Sequence, residues 1–286
     1  MKFIKSQVEL DEVLDALRSD GKTIGFVPTL GALHEGHGSL ISRSKRQTDF
    51  TVCSIFVNPT QFNESTDLAK YPRTLDADKA LLEELDCDLL FYPDVETVYP
   101  NGFSDRPDID LRGLDEVLEG AFRPGHFDGV VQVVKRLLEL VKPSHLYMGQ
   151  KDFQQFSIVQ FMIDHYEIPT QLVVCPIKRE KSGLAMSSRN MRLTPKNRER
   201  AVIIKRTLDY AQRRLKNHFV KEVRAYAFNR MKIDGFRPEY FEIVDGRTLK
   251  AVESMDESDY IVACTAVWAG EIRLIDNKIY KKPKTK

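Results

Sequence analysis

The stretch Phe26–Leu40, FVPTLGALHEGHGSL, decides how the rest of the chain is read. It joins an apolar and β-branched run, Thr23 to Val27, to Pro28 and then to a segment carrying His34, His37, Gly31, Gly36 and Gly38. Proline cannot donate to a sheet ladder, so a buried strand should stop at Pro28 and give way to a loop. A helix should start near His37 or Gly38 and run to about Arg46, setting a strand end and a helix N-terminus around one small gap. Such a gap suits an anion. Unpaired backbone N–H groups and the helix dipole favour negative charge, and Gly31 and Gly36 bring no side chain to hold a phosphate off the backbone. His34 and His37 are one helical turn apart, so both imidazoles should fall on the same side. The segment reads as a nucleotide-binding turn. The rival reading makes the two histidines metal ligands; the pair is not HExxH, and the nearest candidate third ligand is the distant His126.

Outward from this turn, the chain alternates strand and helix signals. Phe50 to Val57 is almost wholly apolar or β-branched, as in a strand covered on both faces of a parallel sheet. The polar loop after it, NPTQFNESTDLAKYPRT, places Gln61 where open α/β sheets bind ligands, and a glutamine amide both donates and accepts, which suits a hydroxy acid. Ser6–Leu17 and Thr74–Leu85 read as helices, the second capped by Thr74, and Leu89–Tyr92 as a strand. Residues 94–128 are irregular, with a short helix expected over Leu114–Glu119 and a turn at Arg123–His126. Gly129–Val141 carries an apolar face at helical period.

His145–Met148 then reads as a strand and Gly149-Gln150-Lys151-Asp152 as a second strand-to-helix junction. There Lys151 offers a mobile cation to phosphate, Asp152 caps or orients, and Gln155 follows one turn later. Gln171–Cys175 is the last strand of this part. The next segment, PIKREKSGLAMSSRN, is basic, hydroxyl-rich and flexible by composition; Ser187, Ser188 and Arg189 in it suit phosphate. Thr194-Pro195 starts a helix and a second domain: helices over Pro195–Lys216 and Val220–Lys232, then antiparallel strands over Tyr240–Val244, Tyr260–Val267 and Arg273–Ile279.

Composition narrows the classes. With 286 residues and 42% apolar residues the chain is long enough for a real core. Its 43 basic and 42 acidic residues leave a formal charge of +1, so no global charge points to nucleic acid or a membrane surface. The four cysteines make no CxxC pair and read as reduced packing residues. No signal-peptide pattern, no apolar run of about 20 residues, no internal repeat, no GxGxxG and no Walker loop is present. A cytoplasmic protein is expected.

The HxGH turn resembles the nucleotidyltransferase superfamily, and PTLGALHEGH with FVNPTQF, YPRT, LEGAFRPGHFDGV, GQKDFQQ, GLAMSSRN and RLIDNK resembles, in order along almost the whole chain, the pantothenate synthetase (pantoate–β-alanine ligase) family. The resemblance implies an α/β protein: a Rossmann-like parallel-sheet domain binding ATP and pantoate over residues 1–177, followed by a smaller α+β lid domain over residues 178–286. It implies ATP-dependent condensation of D-pantoate with β-alanine through a pantoyl-adenylate, releasing AMP and pyrophosphate, with Mg²⁺ shared by phosphate oxygens and no dedicated protein metal site. It assigns catalysis to His37, His34, Lys151 and Arg189. ATP binding falls to Leu30, Gly31, His34, His37, Gly149, Lys151, Asp152, Lys178, Met186, Ser187, Ser188 and Arg189, and pantoate binding to Gln61 and Gln155. A homodimer is implied by the family alone.

The chain departs from the family pattern at Leu30 (usually Met), Gly38 (a larger apolar residue), Thr60 (Leu or Met), Gln150 (Glu) and Lys178 (apolar). Gly38 and Thr60 are therefore expected to loosen the pocket or to signal a different acid. A different adenylyl- or cytidylyltransferase, a metal-dependent hydrolase using His34, His37 and His126, and an inactive binding module are the competing readings.

Overall fold

The computed structural model describes residues 1–62, 68–69, 71–104 and 106–283. Residues 63–67 and 70 of the polar loop after Gln61 lie outside the described residues. The chain divides into two compact units. One comprises Met1–Leu111, Arg123–Gly149 and Gln155–Pro176; the other comprises Arg112–Phe122, Gln150–Gln154 and the chain from Ile177 onward.

The first unit is built on a six-stranded sheet of order β1-β4-β3-β2-β5-β6 in which every pairing is parallel. Its strands are β1 (Lys2–Ile4), β2 (Ile24–Thr29), β3 (Phe50–Ile55), β4 (Leu89–Phe91), β5 (His145–Gly149) and β6 (Gln171–Cys175). Helices α1 (Gln7–Ser19), α2 (Glu35–Gln47), α3 (Leu75–Glu84), α4 (His126–Val141) and α5 (Phe153–His165) connect them. Parallel strands need both faces covered, which is why β2, β3 and β4 are nearly continuous apolar runs with no polar alternation. Val27, Cys53 and Leu90, side by side in register, pack with Leu40, Ile41, Leu82 and Tyr147 into one core. α4 is the most deeply set helix, burying residues on most of its circumference from His126 to Val141.

The second unit carries an antiparallel sheet, β7 (Phe236–Asp245), β8 (Ile261–Ala269) and β9 (Ile272–Lys281), with β8 central and buried along almost its whole length. After the short helix α6 (Pro195–Arg200), helices α7 (Val202–Arg214) and α8 (Val220–Arg230) supply Ile204, Leu208, Val223 and Ala227 to a core shared with Phe241, Ile243, Ile261 and Ala263. The segment 112–122 is tied to this sheet by a buried charge network. Arg273 binds Glu119 through both terminal nitrogens and Glu239 through Nε and Nη2, while Tyr240 donates to Glu119. Burial and the adjacent Glu119 carboxylate push the Tyr240 phenol upward.

Several boundaries differ from the sequence reading. Pro28 lies inside β2, paired in register with Ser54. β5 pairs only with Gly25 and Phe26, so at Pro28 the strand has left that neighbour and the missing N–H disrupts no ladder on that side. α2 begins at Glu35, with His34 as its N-cap, two residues before His37. Three-residue β1 was too short to register as a strand signal. The helix expected over Pro195–Lys216 is split at Ala201, and the short helix expected at Leu114–Glu119 is a single turn over Glu119–Phe122.

Candidate active site

The turn after β2 is shaped by a buried carboxylate. Gly31 (φ 81°) and Ala32 (φ 49°) are both left-handed, reversing the chain at once. Asp78 of α3, 2% exposed, accepts the Leu33 N–H on Oδ1 (2.8 Å), the Ala32 N–H on Oδ2 (3.0 Å) and the Thr74 hydroxyl (3.0 Å). Thr74 thus spends its hydroxyl on Asp78 and makes no side-chain cap of its helix. A Cβ at residue 31 would lie 3.2 Å from the Asp78 carboxylate and 3.1 Å from Ile55. Glycine is needed there for the close packing and the reversal. Gly31 N–H is itself bound to Thr29 Oγ1 at 3.2 Å, so the donors at Gly31, Ala32 and Leu33 are engaged within the protein. The expectation of open backbone amides for an anion at these positions is corrected accordingly.

The two histidines that follow are held by backbone donors. His34 Nδ1 accepts the Gly36 N–H (3.0 Å) and His37 Nδ1 accepts the His34 N–H (3.3 Å). A nitrogen that accepts carries no proton, so each neutral ring bears its proton on Nε2. The rings lie 4.1 Å apart, centroid to centroid, on the first turn of α2, as the spacing predicted. Gly38, one residue on, is buried beneath Leu85: a Cβ there would meet Leu85 Cδ1 at 3.1 Å. The room expected from the missing side chain is filled by that leucine.

Gln61 ends a single 3₁₀ turn, Pro59–Gln61, that is held from behind by α4. Asn58, fully buried, donates to Gly129 O (3.1 Å) and Gln61 Oε1 (3.4 Å) and accepts from Tyr99 Oη (2.9 Å). His126 Nδ1 lies 2.8 Å from Gln61 O and so donates to it. Gly129 admits no side chain, since a Cβ would sit 2.4 Å from Thr60 O. Thr60, unusual for the family pattern, joins this network through the Asn58 amide (3.0 Å). Burial pushes the Tyr99 phenol up to about 12, keeping it a neutral donor. Asn58 and Asp78 were not singled out from sequence; a polar residue closing an apolar strand, and an acid four after Thr74, were the only signals.

The second junction follows β5. A Cβ at Gly149 would meet nothing within 4 Å, so the backbone there borders open space. Lys151 Nζ lies 3.1 Å from Asp152 Oδ1, with the Lys151 side chain 18% exposed. Gln155, half-buried on α5, has no side-chain hydrogen bond among the described residues.

The segment expected to be a flexible loop is braced. Met186 N–H binds Lys178 O (3.0 Å), Asn190 donates to Glu180 (2.9 Å) and Ala185 O (3.0 Å), and Arg198 forks onto Glu180 (3.1 and 3.0 Å). Ser187 accepts the Arg189 N–H (3.3 Å) and caps the 3₁₀ turn Ser188–Arg192, with Ser188 buried. Of the candidate residues, Leu30, Gly31, His34, His37, Gln61, Gly149 and Gln155 belong to the first unit; Lys151, Asp152, Lys178, Met186, Ser187, Ser188 and Arg189 belong to the second. Among the described residues no three His, Cys, Asp or Glu side chains gather as a metal site, and no helix is long and apolar enough to cross a membrane.

The chain matches the family model described as pantoate-beta-alanine ligase over residues 2–279. Among curated proteins it is 48% identical over 283 residues to the pantothenate synthetase of Bacteroides thetaiotaomicron, covering 99% of this chain and 100% of that protein. It is 42% identical to the pantothenate synthetase of Thermotoga neapolitana, covering 98% and 99%. Among solved structures, pantothenate synthetase from Thermus thermophilus superposes with a TM-score of 0.91 at 38% identity, covering 98% of this chain and 100% of that one. The pantoate-beta-alanine ligase of Francisella tularensis, complexed with beta-gamma ATP and beta-alanine, superposes at 0.81 with 36% identity and 98% coverage of both chains.

Proposed function

This chain belongs to the pantoate–β-alanine ligase family, and we propose that it joins D-pantoate to β-alanine in two steps, with a pantoyl-adenylate between them and AMP and pyrophosphate as by-products. In the first step a pantoate carboxylate oxygen bonds to the α-phosphorus of ATP and the bond to pyrophosphate breaks. Negative charge grows on the α-phosphoryl oxygens, and donors already in place stabilise it without reorganisation. The observation that carries this reading is the two backbone hydrogen bonds, from Gly36 N–H to His34 Nδ1 and from His34 N–H to His37 Nδ1, that leave Nε2 to carry each neutral ring's proton. The rings become two oriented, uncharged donors at the start of α2.

Lys151, Arg189, Ser187 and Ser188 then serve the triphosphate and the departing pyrophosphate. Lys178 and Met186 serve the nucleotide through the backbone. Mg²⁺ arrives as part of the MgATP substrate, held by phosphate oxygens. Gln61 and Gln155 hold the hydroxyl and carboxylate groups of pantoate. In the second step the β-alanine amine attacks the acyl carbon, the bond to AMP breaks and the amine loses a proton. The family resemblance also supports a cytoplasmic homodimer.

The decisive measurement is pyrophosphate release from MgATP with pantoate, with and without β-alanine. Release should require pantoate and turn over steadily only with β-alanine. Release with another acid alone would refute the assigned substrate; none with any acid would refute the adenylation. Removing one oriented donor costs roughly 100- to 1,000-fold in rate, about 2.7–4 kcal/mol. His37→Ala should lose that much adenylation and, because the His34 N–H loses its acceptor, about 0.5–2 kcal/mol of stability, while still folding.

A further inference from the structure

The residues given roles so far leave unexplained two adjacent polar side chains buried on β9, Asp276 (4% exposed) and Asn277 (2% exposed). Asn277 Nδ2 donates to the carbonyl oxygens of both Gln150 and Lys151, each at 2.8 Å, and its Oδ1 accepts Gln150 Nε2 at 3.0 Å. One side chain therefore fixes two consecutive peptide planes. Those carbonyls lie between the end of β5 and the start of α5, and a backbone acceptor at such a junction needs a partner from elsewhere in the fold. Fixing the planes fixes the direction in which the Lys151 side chain leaves the backbone. Its long stem then has only its own rotamers to settle.

Asp276 holds a second segment. Arg179 forks onto it, Nη1 to Oδ2 at 2.7 Å and Nη2 to Oδ1 at 2.9 Å, and Oδ1 also accepts the Asn277 N–H at 2.8 Å. Arg179 Nη1 in turn donates to Gly183 O at 3.2 Å, closing the narrow loop whose Arg179 and Ala185 pair as a bridge. From that loop the chain runs directly into Met186, Ser187 and the turn carrying Arg189. Two successive residues of one strand thus hold the Lys151 turn on one side and the base of the Ser187–Arg189 turn on the other, all within the second unit.

We propose that Asp276 and Asn277 are positioning residues that set Lys151 and the Ser187–Arg189 turn at a fixed separation for the phosphates of the nucleotide. The proposal rests on the adenylating reading above. It makes the C-terminal strand a determinant of the first step only, since pyrophosphate has left before the amine attacks. Gln150 belongs to the same device: its side-chain amide donates to the asparagine, which a carboxylate at this position does only when protonated.

The test compares Asn277→Ala, Asp276→Asn and Gln150→Ala with the parent protein in three measurements: melting temperature, single-turnover pyrophosphate release, and capture of preformed pantoyl-adenylate by β-alanine. Misplacement of a positioned group costs up to about 100-fold. Asn277→Ala and Asp276→Asn should lose about 10- to 100-fold in pyrophosphate release while capture stays within about twofold, and Gln150→Ala, the mildest change, should show a smaller loss in the same step. Equal losses in both steps, or release unchanged in all three variants, would overturn the proposal. Should the parent release no pyrophosphate with any acid, the adenylating reading has failed separately. The positioning role is then read from binding of β,γ-methylene-ATP by calorimetry: about tenfold weakening in Asn277→Ala upholds it, and unchanged affinity overturns it.

Discussion

The chain passes from strand to helix twice at positions that carry its candidate chemistry, and it braces the two turns with opposite groups. After β2, the backbone donors of Ala32 and Leu33 are taken by the carboxylate of Asp78. After β5, the backbone acceptors of Gln150 and Lys151 are taken by the amide of Asn277. The first turn keeps few backbone N–H groups for a ligand and presents two imidazoles of fixed tautomer instead. The second has its carbonyl dipoles satisfied, so their negative ends are turned to protein donors, and it presents a lysine. Under the proposed reaction the two serve different charges. Oriented neutral donors suit charge that develops in the transition state, and a mobile cation suits charge the substrate carries throughout.

The comparison breaks most visibly at Asp78. Asp78→Ala leaves two buried N–H groups and the Thr74 hydroxyl without their acceptor, and should cost about 3 kcal/mol of stability by denaturant titration as well as adenylation. Asn277→Ala should cost less stability and hold the rate loss to one step. If the two variants proved alike in both respects, the turns would not differ in kind.

A smaller effect sharpens the principle at a third turn. Asp245 accepts the Arg247 and Thr248 N–H groups (2.8 Å each) and the Ser258 hydroxyl. Burial alone would raise its pKa, but these donors outweigh burial and lower it. A carboxyl lowered in the folded state contributes stability above its unfolded value near 3.8, and that contribution disappears as pH falls through the folded value. Asp245→Asn should therefore melt lower than the parent at pH 7, and the gap should close as pH falls from 3.8 through the lowered folded-state value. A gap independent of pH would mean the carboxylate charge is not what braces such turns.

The smallest effect concerns Gly38. Alanine in place of a helical glycine gains about 0.5–1 kcal/mol, and the Leu85 methyl 3.1 Å from the new Cβ opposes it. Gly38→Ala should shift stability by less than about 1 kcal/mol and leave pantoate affinity unchanged. A changed affinity would restore the expectation that this position tunes the acid pocket.

Much of the fold was legible because its signals are local. The apolar runs at Phe50–Ile55 and Gln171–Cys175, the helical periods of α1 and α4, and the Thr194-Pro195 start, where Thr194 does accept the Asn197 N–H, all act within a few residues. The pairing of His34 with His37 was legible for the same reason. Asp78 and Asn277 were not, because their partners lie 45 and 46, and 126 and 127, positions away. Pro28 misled because its usual penalty depends on having a neighbour on both sides, and β5 has already diverged there.

The buried asparagine on β9 also orders events during synthesis. Lys151 emerges from the ribosome well before the residue that fixes its backbone, since the bonds from Asn277 to Gln150 and Lys151 span 127 and 126 residues. At 5–20 residues per second that interval is on the order of 10 s. The parallel sheet can form meanwhile, but the lysine turn stays unset until the last strand is laid down. A nascent chain halted short of that strand would carry its histidine turn complete and its lysine turn without the two bonds from Asn277.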